Sequence, residues 1–401
     1  MKKYALVSVT EKSQVLVELC KKIKQIGYEI IATKGTKNFL ELNGVACKGI
    51  DELFGFKEAG VDIEKIRKLH KAYSSVFGRM SVNVPEFKPV LQIGHYAGVL
   101  EFGEHLFAFH VDGVGTKILI AQMMNYYETI GQDVVAMGVN DIVCIGARPV
   151  AFMDYLAIEK PNKKMISELI NGIRKAAEQS NVHVIAGETA VIPEMIKGAK
   201  KSHGFDIVGF TFGHLRKEDL IDGSRIQKND IIIGLESNGL HSNGYTLVRK
   251  VLLEKYSLTE KIMELGGILG EELLKPTKIY SKCILEIIDK FQVNGLAHIT
   301  GGGFTKLLRL SKSKDIGFSL EKFPPMPPIF KLIMKAGDIS VSEMFKTFNC
   351  GIGFCIIADK ALEDEIIEIC EKHGIKAQTI GKVVSKRGVF VKYKGRKIVL
   401  Y

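Results

Sequence analysis

The alternation of apolar and polar residues separates a short first unit, residues 1–56, from the rest of the chain. Short apolar runs predict buried strands, and apolar residues that recur at helical spacing predict helices between them. The predicted elements are strand Tyr4–Val9, a helix from Val15 to Ile26 that Gly27 ends, strand Tyr28–Ala32, helix Thr36–Leu42 and strand Val45–Ile50. This βαβαβ order predicts parallel strands joined by right-handed crossovers.

Strands and helices also alternate through residues 57–401, in two stretches. A polar segment at 215–223 predicts the boundary between them, which gives domains at 57–218 and 219–401, with a helical lead-in at 57–75. Strands are predicted at Leu106–Val111, Val150–Ala157, Val182–Ala186, Ile207–Gly213, Ile231–Leu235 and Gly353–Ile357, and helices from Thr116, Gln132 and Lys163 and near 245–255 and 277–291. The predicted fold class is α/β, mixed with α+β features.

Two local patterns predict further elements. The proline-rich segment Phe323–Phe330 is predicted to be an ordered surface loop, because proline fixes the backbone and removes a donor. Near the C-terminus, apolar residues alternate from Val389 to Tyr393, pause at Gly395 and resume at Ile398, which predicts a hairpin with basic outer faces.

Composition narrows the class of protein. The 401 residues are 46% hydrophobic and 25% charged, as in ordinary soluble globular proteins. No apolar run approaches the ~20 residues needed to cross a bilayer, and no segment has the pattern of a signal peptide, so a cytoplasmic protein without a membrane partner is expected. Seven scattered cysteines without a CxxC motif predict buried, reduced thiols.

The positive charge of the chain does not by itself indicate a nucleic-acid partner. The formal net charge is +11, but the basic residues are spread along the chain except in the tail after residue 381. Binding of small phosphorylated ligands explains a moderate positive excess equally well, so nucleic acid is not the expected partner.

The stretch His110–Lys117, with the sequence HVDGVGTK, carries the first candidate site. An apolar strand ends at Asp112, two glycines permit a tight backbone path, and a helix follows. Free amides at a helix start beside Lys117 suit a phosphate, and the Asp112 carboxylate suits Mg²⁺ bound to that phosphate. The stretch does not match the Walker pattern, and taken alone it is explained equally well as a capped turn.

Two further segments supply oxygen ligands next to apolar residues. Asn140 and Asp141 lie inside an otherwise apolar helix, and Glu188 is predicted just after a strand. A buried carboxylate is costly unless it is paired or bound to metal. Each acid alone is better explained by a helix cap or an ion pair, but Asp112, Asp141 and Glu188 together favour a Mg²⁺–nucleotide site.

Two glycine-rich loops in the second stretch are rich in hydrogen-bond donors. Glu236–Tyr245 follows a predicted strand and contains His241, Ser242 and Asn243, and a second loop spans His298–Gly303. Such loops can cradle a phosphate or a polar ring, although glycine and asparagine are also ordinary turn residues. The spacing alone therefore predicts only a polar pocket.

Seven ordered motifs resemble a known enzyme family. They are DGVGTK at 112–117, ETIGQDVVAMGVNDI at 128–142, GET at 187–189, GLHSNGYTLVRKVL at 239–252, KPTKIY at 275–280, HITGGGF at 298–304 and EMFKTFNCGIG at 343–353. Together they resemble phosphoribosylformylglycinamidine cyclo-ligase, also called aminoimidazole ribonucleotide synthetase, in its archaeal branch. The resemblance is collinear from about residue 59 to residue 383.

The resemblance implies a fold and a reaction. The implied fold has two α/β domains, of which the first contributes its sheet to a barrel at a two-fold homodimer interface. In the implied reaction, ATP activates the formyl amide oxygen of formylglycinamidine ribonucleotide as an iminophosphate. The amidine nitrogen then closes the imidazole ring of aminoimidazole ribonucleotide, and ADP and phosphate are released. Such chemistry depends on positioning and charge neutralisation more than on a nucleophile.

The resemblance also implies roles for individual residues, with ATP and Mg²⁺ as the bound cofactors. Asp112, Asp141 and Glu188 are implied as metal and phosphate acids, Lys117 as a countercharge and His241 as a substrate-side catalytic contact. The ATP- and phosphate-binding residues are Gly113, Gly115, Thr116, Asn140, Asp141 and Glu188. The substrate-binding residues are Ser242, Asn243, Thr300, Gly301 and Gly302, with Gly303 beside them.

Two segments depart from the family pattern. Family members often carry a run of glycines before the DGVGTK strand, whereas residues 92–98 contain two glycines only. The unit at 1–56 resembles the opening of a methylglyoxal synthase-like domain through SVTEK at 8–12 and IATKGTKNFL at 31–40, and this resemblance stops near Phe56. Three strands are too few to bury both faces of a parallel sheet, so we expect the unit to dock on the rest of the protein or on a neighbouring chain. Lys12, Thr33, Lys34 and Thr36 suit an anion, but a remnant with only capping and solubility roles explains them somewhat better.

Two other functions fit parts of the sequence. One is a related ATP-using enzyme such as selenophosphate synthetase, thiamine-phosphate kinase or a hydrogenase-maturation dehydratase. The first normally needs a reactive Cys or selenocysteine that residues 76–104 lack, and the others are not expected to keep TFNCG and GLHSNGY together. The second is a non-catalytic RNA-binding protein that uses its basic tail.

Overall fold

A computed structural model of the chain describes residues 3–9, 12–49, 69, 72, 75–77, 82, 84–91, 94–311 and 315–400. The predicted lead-in at 57–75 lies almost entirely outside these residues, as do residues 92 and 93 of the glycine-poor loop and the end of the third predicted strand. Three sheets, of three, six and seven strands, and one two-stranded ribbon organise the described residues.

The N-terminal module is a small parallel sheet with its own core. It consists of β1 Lys3–Val7, α1 Gln14–Gln25, β2 Tyr28–Ala32, α2 Lys34–Leu42 and β3 Lys48–Gly49. The strands pair in the order β1-β2-β3 and run parallel, which confirms the predicted βαβαβ unit. The buried residues of this core are Leu16, Val17, Cys20, Ile30, Ala32, Leu40 and Val45, and they form a cluster separate from the main core.

The first large domain is a six-stranded sheet covered by helices. Its elements are β4 Lys88–Pro89, β5 Gly98–Phe102, β6 His105–Gly113, α3 Lys117–Met124, α4 Glu128–Val143, β7 Arg148–Ile158, α5 Lys163–Ser180, β8 His183–Val191 and β9 Phe205–Arg216. The strand order is β4-β5-β6-β9-β7-β8, and only β7 and β8 are parallel. The helices α4 and α5 can approach closely because glycine stands at the contact. A Cβ at Gly131 or Gly172 would collide with the backbone of the other helix.

The two faces of this sheet differ in burial. Residues of β6 and β9 that point toward α4, such as Ala108 and Thr211, are buried. The opposite face carries large apolar side chains that remain exposed: Phe109, Val111, Tyr155, Ile185 and Phe210. A shallow groove of about 300 Å³ runs across part of this face.

The second large domain is a seven-stranded sheet with strand order β13-β15-β10-β16-β14-β17-β18, in which only β14 and β17 are parallel. Its strands are β10 Ile231–Glu236, β13 Gly295–His298, β14 Gly317–Leu320, β15 Ile352–Ala358, β16 Ala377–Val384, β17 Gly388–Tyr393 and β18 Arg396–Val399, beside the ribbon β11 Lys261–Ile262 and β12 Gly267–Ile268. Its helices are α6 Tyr245–Leu252, α7 Leu269–Leu273, α8 Ser281–Lys290, α9 Pro328–Ala336, α10 Val341–Thr347 and α11 Glu363–Lys372.

Several predicted elements need correction. Helix α4 begins at Glu128 rather than Gln132, and α8 begins at Ser281 rather than near 277. Pro328 opens α9, so the predicted proline-rich loop ends in a helix; proline suits a first helical position, where its missing N–H has no intrahelical partner. The C-terminal hairpin β17–β18 is confirmed.

One continuous apolar core connects the two large domains, and it includes Ile142 of α4 and Leu296 of β13. All seven cysteines are free thiols; six are buried and Cys47 is half-buried, so the predicted burial is confirmed for six of them. Among the described residues, no helix is long and apolar enough to cross a membrane.

Candidate active site

The Asp141 carboxylate on α4 lies at the junction of the two large domains and contacts two histidines. His110 Nε2 of β6 lies 3.2 Å from Asp141 Oδ2, and His298 Nδ1 of β13 lies 2.7 Å from Asp141 Oδ1. Burial alone would raise the pKa of Asp141, but the hydrogen bonds and charges of the two histidines hold it well below its ordinary value. Asp141 is therefore a fixed negative charge that joins the domains.

Asp112 lies two residues after His110 on the same face of β6 and remains exposed. Its Oδ1 accepts the backbone N–H of Gly113 at 2.8 Å. Desolvation raises the pKa of Asp112; the Asp141 charge adds to this effect, while His110 and Lys306 oppose it. Asp112 is thus open to solvent, whereas Asp141 is held beside it by the two histidines. We call His110, Asp112, Asp141 and His298 the carboxylate cluster.

The pKa of His110 follows from its position in this cluster. Burial works against a charged imidazole, but the hydrogen bond and charge of Asp141 outweigh it and raise the pKa of His110. Protonated His110 thus offsets part of the negative charge on the two acids.

A second polar cluster lies around Asp133 on the same face of α4, about two turns before Asp141. Lys117 Nζ lies 2.7 Å from Asp133 Oδ2, and both side chains are fully buried. Asp133 Oδ1 accepts two further bonds at 2.7 Å, from the backbone N–H and the hydroxyl of Thr277. Lys117 also donates to the carbonyl oxygen of Lys275 at 2.7 Å. Burial lowers the pKa of Lys117 and raises that of Asp133, and the pairing opposes both effects.

Asn140 extends this second cluster toward the first. Its Nδ2 donates to the Lys278 carbonyl, and its Oδ1 accepts the Tyr280 N–H, each at 2.9 Å. The Ser242 hydroxyl completes the set at 2.9 Å from the Thr277 hydroxyl. We call Lys117, Asp133, Asn140, Ser242 and Thr277 the docking cluster, because it fastens the KPTKIY segment of the second domain to the first domain.

The loop that carries His241 is tightly built. His241 adopts a positive φ of 62°, is 2% exposed, and its Nε2 accepts the backbone N–H groups of Asn238 at 3.0 Å and Lys278 at 3.4 Å. Burial, followed by the positive charges around it, lowers the pKa of His241 well below its ordinary value. The ring is therefore neutral with its proton on Nδ1, so the contact seen here positions the loop; the catalytic role stays a prediction.

The other predicted substrate residues lie next to this loop. The side-chain oxygen of Asn243 accepts the backbone N–H of Gly301, which joins the two glycine-rich loops. Thr300 is buried, Gly301 is exposed, and Gly302 takes a φ of 93° that favours glycine. At the other loop, Gly115 has a φ of 66°, and Thr116 Oγ1 lies 3.0 Å from Thr246 Oγ1 of α6.

Glu188 is not brought together with the other two acids in one chain. It lies inside β8, not after a strand as predicted, and it is exposed. The register aligns Asp112 with Gly209, Asp154 and Gly187 across the sheet, and Glu188 comes one residue later. Because successive strand residues face opposite sides, Glu188 lies on the exposed apolar face, away from Asp112.

The carboxylate cluster and Glu188 therefore do not make a three-carboxylate metal site within the chain. Among the described residues, no three His, Cys, Asp or Glu side chains are placed to hold a metal ion on their own. A Mg²⁺ ion that arrives with a nucleotide needs only one or two protein carboxylates, since phosphates and waters supply the remaining ligands. The open carboxylate of Asp112 meets that requirement.

Sequence reasoning missed the partners of the acids. Asp133 was visible in principle, because Asp133, Asn140 and Asp141 recur at helical spacing on one face of an apolar helix. His298 and Lys306 flank the glycines of the HITGGGF loop but depend on domain packing for their neighbours. The site can position a ligand and stabilise its charge through ionic contacts and hydrogen bonds. Among the described residues, none is placed beside Asp112 as a nucleophile.

Matches to family models cover most of the chain. The model described as AIR synthase related protein, N-terminal domain, matches residues 94–215, and the corresponding C-terminal domain matches residues 227–394. An MGS-like domain matches residues 15–85, so this match extends past residue 56, the limit predicted from the sequence motifs. The predicted domain limits themselves stay predictions.

Curated relatives are similar over nearly their full length. A phosphoribosylformylglycinamidine cyclo-ligase from Methanococcus maripaludis is 41% identical over 355 residues, which covers 86% of this chain and 99% of the relative. Enzymes of the same name from Methanocaldococcus jannaschii and Thermococcus kodakarensis are 40% and 39% identical, with the same coverage.

Solved structures share the fold at low sequence identity. A HypE–HypF complex aligns with a TM-score of 0.56 and 17% identity, over 77% of this chain and 93% of that chain. A thiamine-monophosphate kinase from Stenotrophomonas maltophilia aligns with a TM-score of 0.55 and 17% identity, over 78% of this chain and 93% of that chain. These likenesses concern the architecture alone.

Proposed function

The chain belongs to the phosphoribosylformylglycinamidine cyclo-ligase family, and from that premise we propose that it closes an imidazole ring with ATP at the carboxylate cluster. The enzyme is a ligase of purine biosynthesis that converts formylglycinamidine ribonucleotide to aminoimidazole ribonucleotide. The formyl amide oxygen attacks the terminal phosphorus of ATP and releases ADP. The amidine nitrogen then attacks the activated carbon, and phosphate leaves with the former formyl oxygen.

The observation that carries the placement of this reaction is the open Asp112 carboxylate above a fixed Asp141. Phosphoryl transfer concentrates negative charge on the phosphate oxygens, and its catalysis depends on positioning and electrostatic stabilisation. We assign Asp112 to the Mg²⁺ ion that accompanies ATP, because its carboxylate is exposed to solvent and Asp141 holds His110 beside it. Bound Mg²⁺ would neutralise phosphate charge and orient the phosphate.

Other predicted contacts fit this placement to different degrees. The turn at Gly115 leads into the start of α3, a position that suits a phosphate, whereas the Gly113 N–H is already donated to Asp112 Oδ1. Lys117 is already neutralised by Asp133, so its predicted phosphate contact would require the docking cluster to open. We also propose that Glu188 contacts the nucleotide phosphates. The proposed substrate contacts are Ser242, Asn243, Thr300, Gly301 and Gly302.

A product assay tests the function. Purified protein with ATP, Mg²⁺ and formylglycinamidine ribonucleotide should form ADP and aminoimidazole ribonucleotide in equal amounts. Selenide or thiamine phosphate in place of the purine precursor should not stimulate ADP formation. ATP consumption driven by either of those compounds, without ring closure, would replace this function by that of a relative.

We also propose a homodimer formed through the exposed face of the six-stranded sheet. Phe109, Val111, Tyr155, Ile185 and Phe210 lie on that face, and a contiguous exposed apolar surface marks an interaction site. Pairing of identical faces about a two-fold axis is the commonest closed assembly. Glu188 lies on the same face, so a dimer would give this acid surroundings that one chain does not provide.

Sedimentation analysis tests the dimer. The expected mass is twice the 44.4 kDa of one chain, and Phe210→Glu should shift it toward one chain while Leu42→Glu, at an exposed apolar position in the N-terminal module, should not. A monomeric wild-type protein would exclude the interface. We also propose that the protein is located in the cytoplasm, as expected from the sequence.

A further inference from the structure

Lys306 is a cation beside the carboxylate cluster for which neither the docking cluster nor the sequence motifs provide a role. It lies on the 3₁₀ helix Gly303–Arg309, which follows the glycines of the HITGGGF loop. The Tyr96 hydroxyl of the first domain lies 3.5 Å from the Lys306 carbonyl oxygen, and the Arg309 guanidinium lies over the Tyr96 ring at 5.2 Å. These contacts hold the helix against the first domain.

The ammonium of Lys306 acts on both acids of the cluster. Its positive charge lowers the pKa of Asp112, and the negative charges of Asp112 and Asp141 in turn favour the protonated lysine. Even so, within the part of the chain that the structure describes, Lys306 forms no ion pair. His298, at the start of the loop that leads to Lys306, lies 2.7 Å from Asp141, which places this loop beside the acids. Neither acid neutralises Lys306 in an ion pair, unlike Lys117 in the docking cluster.

The placement of Lys306 is costly for an empty site. Burial, followed by repulsion from Arg309, lowers the pKa of Lys306 to about 8, even though two carboxylates oppose the shift. Lys306 is half-buried, and a partly desolvated charge without an ion-pair partner among the described residues destabilises the folded state. An anionic ligand between Lys306 and the acid-bound cation would supply the missing partner.

We propose that Lys306 binds a phosphate group beside the carboxylate cluster, as a catalytic residue that stabilises phosphate charge. The proposal rests on the proposed function only for the identity of that phosphate, which belongs either to ATP or to the ribonucleotide. Lysine suits this task because its ammonium is a compact point charge with three donors. Arg309 lies exposed on the far end of the same helix, over Tyr96, so it is not the first choice for the role.

Ligand titration calorimetry separates the two sources. One arm uses a non-hydrolysable ATP analogue with Mg²⁺, and the other uses aminoimidazole ribonucleotide, whose phosphate is on the ribose. Lys306→Met should weaken binding in one arm by about tenfold or more, the scale of a lost charge-assisted hydrogen bond. Lys306→Arg should retain most of the affinity. Lys331→Met, which removes the same charge from an exposed site on α9, is the control and should change neither arm.

The pH dependence gives a readout that a merely structural lysine would not move. Wild-type affinity in the affected arm should fall as the pH rises through about 8, where free Lys306 loses its proton. Lys306→Arg should not show this fall, since arginine stays charged. The charged and titratable groups around Lys306 are Arg309 on its own helix, Asp112 and His110 on β6, Asp141 on α4, Cys144 directly after α4, and Tyr96.

Unchanged affinity of folded Lys306→Met in both arms would overturn the proposal, as would a fall above pH 8 that persists in Lys306→Arg. The melting temperature of Lys306→Met should not decrease, because the change removes a desolvated charge. If that variant fails to fold, the pH profile of Lys306→Arg decides alone. A wild-type protein that makes no aminoimidazole ribonucleotide, while Lys306→Met still loses affinity for the ATP analogue, would contradict the ring-closure function and leave this proposal standing.

Discussion

The docking cluster and the carboxylate cluster lie on one face of α4, yet they are built in opposite ways. Every side chain of the docking cluster is buried. Its two charges pair with each other within the first domain, and further hydrogen bonds reach residues 275–280 of the second domain. In the carboxylate cluster, Asp112 is exposed and the Lys306 cation near it has no ion-pair partner among the described residues. A satisfied polar cluster fixes the relative position of two domains, whereas an incompletely paired one at a cleft suits a charged ligand.

The largest expected effect comes from breaking the docking cluster. Lys117→Met leaves the fully buried Asp133 carboxylate without its cation, and removal of one partner of a buried pair typically costs ~3–5 kcal/mol. Chemical unfolding should show a loss of that order. The double variant Lys117→Met, Asp133→Asn should recover part of it, because the uncompensated charge is removed.

The same variant discriminates between two roles for Lys117. If Lys117→Met keeps its stability but loses affinity for ATP, then Lys117 binds phosphate, as the motif alone predicted, and the contrast between the two clusters fails.

The next effect concerns activity without stability. Asp112→Asn should lower kcat/KM by ~10²-fold or more, an expectation for lost electrostatic stabilisation, and should leave the unfolding free energy nearly unchanged. Asp206→Asn is the matched control, because Asp206 is also an exposed strand aspartate that accepts the next backbone N–H. Normal turnover by folded Asp112→Asn would remove this residue from the site.

A smaller effect should appear in the pH dependence of stability. Asp141 raises the folded-state pKa of His110. The stabilisation from the His110–Asp141 interaction is therefore fully present below the ordinary histidine pKa near 6.5, and it is lost as the pH rises through the raised folded-state pKa. The unfolding free energy of the wild type should therefore decline over that window, and His110→Asn should lack this part of the decline. Parallel profiles for the two proteins would show that the histidine is not coupled to Asp141.

The smallest effect is expected from the N-terminal module. The alignment covers 99% of the Methanococcus maripaludis relative but only 86% of this chain. That relative therefore has no counterpart to about one seventh of this chain, and we expect the N-terminal module to be dispensable for ring closure. Deleting residues 1–56 should leave ring closure unchanged in a folded protein. Loss of activity in such a truncation would mean that the module contributes to the site.

Local patterns in the sequence predicted the elements better than their partners. The strand that ends at Asp112 and the apolar helix with Asn140 and Asp141 follow from periodicity, which depends on neighbours along the chain. The pairing of Lys117 with Asp133 does not follow, because any phosphate loop would show the same lysine after the same glycines. The side of the sheet taken by Glu188 depends on the register of four strands, and one residue reverses it.

The central claim is that ATP bound at the carboxylate cluster transfers a phosphoryl group to the formyl oxygen before the ring closes. The most direct test uses formylglycinamidine ribonucleotide that carries a heavy oxygen isotope in its formyl group, with ATP and Mg²⁺, and mass analysis of the released phosphate. The account predicts one labelled oxygen in each phosphate, formed in step with ADP and aminoimidazole ribonucleotide. Unlabelled phosphate would contradict it, because water rather than the formyl oxygen would then have attacked ATP.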